Sequence, residues 1–241
     1  MASIGKLVAA IAAVEGLDEG TVKMIARLLR EEGQLSQGSY GPAAARMSAR
    51  DGANLLIAVN ASVVARAAPE TVATYRNLKC RASRVRGGKT LESAFKAGMK
   101  LGEALETLIE AAVPDHHGGS ELAWELLYFS DSLTWTSVDE WLERYRKALP
   151  DLHHIIRSEI IFDRPRPSVA ISIAETGVSS ASEPPPIPAM DASEREIEES
   201  QKMVASAVFL SSGTSDPRGD RSDQTKISLR TILAVGKVLA T

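Results

Sequence analysis

The side chains best suited to chemistry in this chain are cations and hydrogen-bond donors rather than nucleophiles. Between Asp18 and Glu32, Val22, Ile25 and Leu29 recur at helical spacing as an inner stripe, so Gly20, Lys23, Met24, Arg27 and Arg30 fall on the opposite face of the same helix. Lys23 and Arg27 there suit phosphate oxygens or the O6 and N7 acceptors of guanine, and Thr21 and Met24 suit thymine methyls or a sugar-phosphate backbone. Asp18 and Glu19 favour the positive end of the helix but repel phosphate, so Asp18 is better placed as the cap than as a contact. A second cationic cluster, RNLKCRASRVRGGKT over 76–90, holds Arg76, Lys79, Arg81, Arg84, Arg86 and Lys89. Such a run either contacts nucleic acid or simply solvates a loop.

Other chemistries are poorly served. The metal candidates are two histidine pairs, His116-His117 and His153-His154. Adjacent histidines point in different directions on any regular element, and neither a nearby cysteine nor HExxH spacing completes a site. No GxSxG elbow, GxGxxG turn or cysteine-nucleophile signature is present, and Asp115 and Glu121 near His117 lack a nucleophile to serve. The ending GGKT is similar to a phosphate-binding loop, but Ser83 stands where the first glycine is required and no strand is expected before it. Cys80, the single cysteine, excludes an internal disulfide; its Arg and Lys neighbours could lower its pKa, but a lone cysteine is ordinarily core or bystander. Trp124, Trp135, Trp141 and Tyr128 read as core or interface rather than as a base-stacking platform. The expectation is a protein that is not an enzyme and holds no metal or cofactor.

The elements that must position these groups read as follows. Ile4, Leu7, Val8, Ile11 and Val14 form a helical stripe ended by Gly16; Asp18 opens a second helix that stops at Gly33. LSQGSYGPAAARM is a loop or hairpin. Ser48 with Asp51 is a capping box that opens a helix through DGANLLIAVNASVVARA, and Pro69 sits in the first turn of the next. Thr90 begins a helix of about twenty residues, stopped by Pro114. ELAWELLYFSDSLTW is ambiguous between helix and strand, and Ser137 with Glu140 marks another helix start. IIRSEIIF and PSVAISIAE read as a strand pair, and the proline-rich 178–193 as a stiff linker. EREIEESQKMVASAV reads as a charged helix, GTSDPRGDRSD as a polar loop, and KISLRTILAVGKVLA as a segment that docks on the body or on a partner subunit.

The first two helices carry a resemblance. Ala12 is the small residue over which a second helix can cross, Gly16 supplies the turn, and Ile11, Leu17, Val22 and Ile25 occupy the positions that lock the pair. This resembles the helix-turn-helix pattern, with Glu15 departing from it at a position usually apolar. REEGQLSQGSYG resembles the end of a recognition helix and the glycine-rich hairpin of winged helix-turn-helix regulators, and the first 65 residues or so are similar to prophage-type proteins. The resemblance implies that the outer face of the second helix enters the major groove. Ser39 and Tyr40 would then lie on a wing against phosphate or minor groove, with Arg46 and Arg50 as backbone anchors.

Composition sets the frame. With 241 residues, 44% apolar and 24% charged, the chain can bury a real core. Its net charge of −3 hides a split: residues 1–100 carry 15 Lys and Arg against 8 Asp and Glu, whereas the rest carry 13 against 23. No apolar run reaches a bilayer span and no cleavable leader is legible, so a cytoplasmic protein with no membrane partner is expected. The fold class expected is mainly α with a small β component (α+β): a winged helix-turn-helix followed by a helical region and a β-hairpin. The divisions are 1–68 (DNA-binding domain), 69–176 (helical/β assembly domain), 177–193 (linker) and 194–241 (helical tail). The leading function is a sequence-specific double-stranded DNA-binding protein, a prophage-type transcriptional regulator. It would act as a homo-oligomer, joined through the helix at 90–113 and the C-terminal strands. One alternative is a packaging component resembling small terminase subunits; the other is a structural or interaction protein that never meets DNA.

Overall fold

The structure is a computed structural model and describes residues 2–37, 46–86, 88–115, 119–128, 156–164, 166–175, 203–211 and 223–241. The Ser3 hydroxyl accepts the Lys6 amide at 3.4 Å and opens α1 (Ile4–Glu15), which buries Leu7, Val8, Ile11 and Ala12 along one side. Gly16 ends it at φ 67°, in the left-handed region that glycine enters without a Cβ clash. The Leu17 amide folds back onto the Ala12 carbonyl at 2.9 Å, and the chain turns at once into α2 (Glu19–Glu31). That helix buries Val22, Ile25, Ala26 and Leu29 and ends by the same device: the Gln34 amide returns to the Leu29 carbonyl at 2.8 Å, with Gly33 at φ 68°.

The third helix, α3 (Ala49–Ala61), is central. Nearly every residue from Ala49 to Ala61 is buried, as expected of a helix apolar on all sides, and it packs on α2, α4 (Ala68–Arg76) and α6 (Leu101–Ala111). Its buried polar groups are paired: Asn54 Nδ2 donates to the Gln34 carbonyl at 2.6 Å, and Asn54 Oδ1 accepts from Arg76 Nη1 at 2.7 Å. The helix ends earlier than its apolar run suggests, because Ser62 turns extended and Ala65–Ala67 forms a single 3₁₀ turn.

Five antiparallel strands form one sheet in the order β1-β4-β3-β2-β5: β1 (Lys79–Val85), β2 (Ile156–Arg164), β3 (Ser168–Glu175), β4 (Met203–Leu210) and β5 (Asp223–Ile227). The β2–β3 hairpin forms as expected, pairing Ile160 with Ile171 and Phe162 with Val169. Cys80, Phe209, Val169, Ala207, Ile171 and Ile160 share one buried face by this register. Tyr75 joins α4 to this layer, its hydroxyl donating to the Asp163 carbonyl and its ring tilted against Phe162. The last helix, α8 (Leu229–Leu239), lies on α1 and α6, so the end of the chain docks on its beginning. Buried side chains from Ala2 to Leu239 form one continuous cluster.

The protein is therefore α+β, with more sheet than a hairpin. Three expectations are corrected. The basic run after Asn77 is strand β1, not loop. The segment MVASAV is strand β4, because its small and β-branched residues fill the centre of the sheet between β1 and β3. The helix expected over 90–113 is two, α5 (Lys89–Ala94) and α6, since Gly98 at φ 80° lets the chain turn and pair with the start of β1. The eight-residue α7 (Glu121–Tyr128) settles the first half of the ambiguous segment, with Trp124 half-buried against the core. Ser39, Tyr40, both histidine pairs, Trp135, Trp141, the Ser137–Glu140 box, the expected linker 178–193, the charged stretch before Met203 and all of the expected loop GTSDPRGDRSD but Asp223, which begins β5, lie outside the described residues. Among the described residues, no helix is long and apolar enough to cross a membrane.

Candidate nucleic-acid interface

The α1-turn-α2 hairpin presents one face of α2 to solvent. Val22 and Leu29 are wholly buried, whereas Met24 is 51% exposed, the Arg27 side chain 79% exposed, and Lys23 exposed as well. Arg30, at the end of the helix, is half-buried. Asp18 caps α2: its Oδ2 accepts the Thr21 amide at 2.7 Å and the Thr21 hydroxyl at 2.9 Å, and the Thr21 amide chiefly holds this carboxyl below its usual range. The Thr21 hydroxyl proton is therefore committed to the cap. Gly20 leaves room for this arrangement, since a Cβ there would stand 3.1 Å from Asp18 Oδ2.

Arg27 Nε donates to Glu31 Oε1 at 2.7 Å, which pushes the guanidinium pKa further up. Both partners are exposed, so the pair is worth little and exchanges readily for a stronger acceptor. Across α2 as a whole, Lys23, Arg27 and Arg30 are opposed by Asp18, Glu19, Glu31 and Glu32. The face is polar and forked with donors, but it is not a cationic field. Ile4, Gly5 and Val8 of α1 and Lys23, Arg27 and Arg30 of α2 flank an open cleft of about 780 Å³.

The base of the following loop is built from one carboxylate. Asp51 accepts the Ser36 amide and hydroxyl at 2.7 and 2.8 Å, and the Ser48 amide and hydroxyl at the same two distances. The Ser48 hydroxyl in turn accepts the Asp51 amide at 3.3 Å, completing the capping box. The two ends of the segment between α2 and α3 are thus held side by side. Gln37 also ties its start to α2 by donating to the Arg30 carbonyl at 2.8 Å. Arg46 and Arg50, at the far end of that segment, are both exposed.

Two positions of the hairpin depart from the expected pattern. Leu17 does not lock the helices; it is 42% exposed. Glu15 is half-buried, with Asn60 Nδ2 of α3 donating to its oxygens at 3.3 and 3.2 Å. Burial is the main cause that pushes its pKa up to about 7.

The second cationic cluster divides. Arg76 is structural, paired with Asn54 and Glu106 and half-buried. A strand does precede Gly88, contrary to expectation, yet GGKT is not a phosphate cradle. Glu125 of α7 already takes the Thr90 amide at 2.7 Å and the Leu91 amide at 3.4 Å, so the chain's own carboxylate sits where an anion would go. Cys80 is buried, and burial pushes its thiol pKa up, the opposite of the effect its cationic neighbours suggest. Among the described residues, no group of three metal-ligating side chains comes together.

A crevice that sequence reasoning missed lies beyond the loop base. Arg50, Arg76 and Lys100, from α3, α4 and the start of α6, line about 350 Å³ together with Asn54 and Glu103. The chain matches no known protein family, curated protein or solved structure.

Proposed function

We propose that the protein binds double-stranded DNA and selects sequence with the outer face of α2, as a helix-turn-helix regulator of prophage type acting as a homo-oligomer. The observation that carries this reading is the division of α2: Val22, Ile25 and Leu29 are buried, while Lys23, Met24 and Arg27 stand exposed on the other side. Arg27 suits a bidentate contact to guanine, Met24 and the Thr21 methyl suit thymine, and Glu19 or Glu31 can accept from the cytosine amino group. A near-neutral reading face of this kind suits base edges better than a phosphate-directed one. The Asp51 clamp holds Ser36 and Ser48 side by side, as the ends of a short hairpin would be, and the exposed Arg46 and Arg50 suit contacts to a DNA backbone. Paired half-sites would supply the contact area that one such module lacks.

Selection of genomic fragments by the purified protein tests this directly. A recurring sequence should emerge, and Arg27→Ala should weaken binding to it by about 1 to 3 kcal/mol. Selection without enrichment, or an Arg27→Ala variant that binds the selected fragment as tightly as the parent, would refute the assignment.

A further inference from the structure

Residues 79–100 hold seven Lys and Arg against one acidic residue, Glu92. The fold sets the start of β1, with Lys79 and Arg81, beside the 96–100 turn, with Lys96 and Lys100. Among the described residues β1 is an edge strand, and its outer side is met at its start, where the Cys80 amide donates to the Met99 carbonyl at 2.8 Å and the Gly98 amide to the Cys80 carbonyl at 3.0 Å. A bulge follows at Arg81, and the four consecutive residues Arg81 to Arg84 are all exposed, so both faces of the strand meet solvent there. Lys79 stands directly opposite Lys100 in a β-bridge, and both are exposed. Lys100 in turn shares the polar crevice with Arg50.

Charged residues on an edge strand are commonly a guard against pairing with another sheet. A guard does not require two lysines facing each other across a bridge, since like charges directly opposite destabilise the pairing. A polyanion lying there removes that repulsion. We propose that the β1 edge with the 96–100 turn is a second nucleic-acid surface, in which Lys79, Arg81, Lys96 and Lys100 grip the phosphate backbone of duplex DNA. Ala82 and Ser83 between the cations let a backbone approach closely and offer no bulky apolar group to insert into a membrane. The surface acts without regard to sequence and stands whether or not α2 reads bases.

The test is fluorescence anisotropy with a labelled duplex of mixed sequence, titrated with the full chain over a range of KCl. A variant carrying Lys79→Ser, Arg81→Ser, Lys96→Ser and Lys100→Ser should bind more weakly, with its logarithmic salt slope flattened by about 0.9 per lost contact, or about 3 to 4 in all. Lys100→Glu alone separates binding from folding: it turns the repulsion with Lys79 into attraction, so the melting temperature should rise while DNA affinity falls. A quadruple variant with the parent's slope, or a Lys100→Glu variant that binds DNA undiminished, overturns the proposal. So does a parent protein that ignores the duplex and binds vesicles of phosphatidylcholine and phosphatidylserine. Lys23→Ala with Arg27→Ala should leave the salt-dependent binding to mixed sequence in place. If that pair abolishes it while the quadruple variant retains it, α2 is the whole interface and the β1 surface is refuted.

Discussion

Replacing Glu15 by Gln should stabilise the protein, and the gain should grow with pH. Glu15 ends α1 at a half-buried position where Asn60 donates to it over long distances of 3.3 and 3.2 Å, too weakly to offset desolvation. Its pKa rises from 4.5 to about 7. Below pH 4.5 the carboxyl is protonated in both folded and unfolded chains, and its contribution to stability is fully present. Between pH 4.5 and about 7 the folded chain keeps a proton that the unfolded chain has released, so stability falls as pH rises; above 7 the loss is complete. At 1.36 kcal/mol per unit, the shift sets a ceiling of about 3 kcal/mol, and screening at a half-buried site reduces it to about 2 kcal/mol. Gln keeps an acceptor for Asn60 and carries no charge. Urea unfolding of parent and Glu15→Gln at intervals from pH 4.5 to 8 should show a difference near zero at the acid end and about 2 kcal/mol in favour of Gln at the other. A constant difference across that range, or a parent more stable than the variant at pH 8, would show that Glu15 is not desolvated as its position implies.

Asp51→Ala removes four accepted hydrogen bonds and strands the Ser36 and Ser48 amides, which should cost about 3 kcal/mol in urea unfolding and speed proteolysis between Gln37 and Met47. Ser36→Ala removes only the hydroxyl bond and leaves the Ser36 amide on Asp51, so it should cost about 1 kcal/mol. Gly236→Ala would bring a Cβ within 2.5 Å of the Ala112 backbone of α6, so about 2 to 4 kcal/mol should be lost despite the better helix propensity of alanine. At Gly52 the clash is with a side-chain methyl of Val235 at 2.7 Å rather than with backbone, and calorimetry should find the smaller loss there. Cys80, buried with its thiol pKa pushed up, should resist a thiol-directed reagent in the folded protein and react promptly in urea; prompt labelling of the native chain would contradict its placement.

What was legible in the sequence is local. Gly16, Asp18, Gly33 and the Ser48–Asp51 box act within one helical turn, and each performs in the structure the capping role its residue type implies. The β2–β3 pair is likewise written in a short alternating run beside a proline-bearing turn. What was not legible depends on distant partners. MVASAV reads as the continuation of a charged helix until β1 and β3 flank it, and only the register with Phe209 beside Cys80 shows why its residues are small and apolar. The break before α6 has the same origin: TLESAFKAGMKLGEALETLIEAAV carries helical periodicity throughout, and Gly98 alone is a weak stop. Pairing of Met99 and Lys100 with the first residues of β1 replaces the helical hydrogen bonds given up there. That exchange also places Lys100 against Lys79. A pair of facing lysines therefore arises from residues well separated in the chain, whereas Lys23, Arg27 and Arg30 of α2 lie within eight residues and are flanked by Asp18, Glu19, Glu31 and Glu32. Sequence spacing marks the outer face of α2; only the fold brings Lys100 against Lys79.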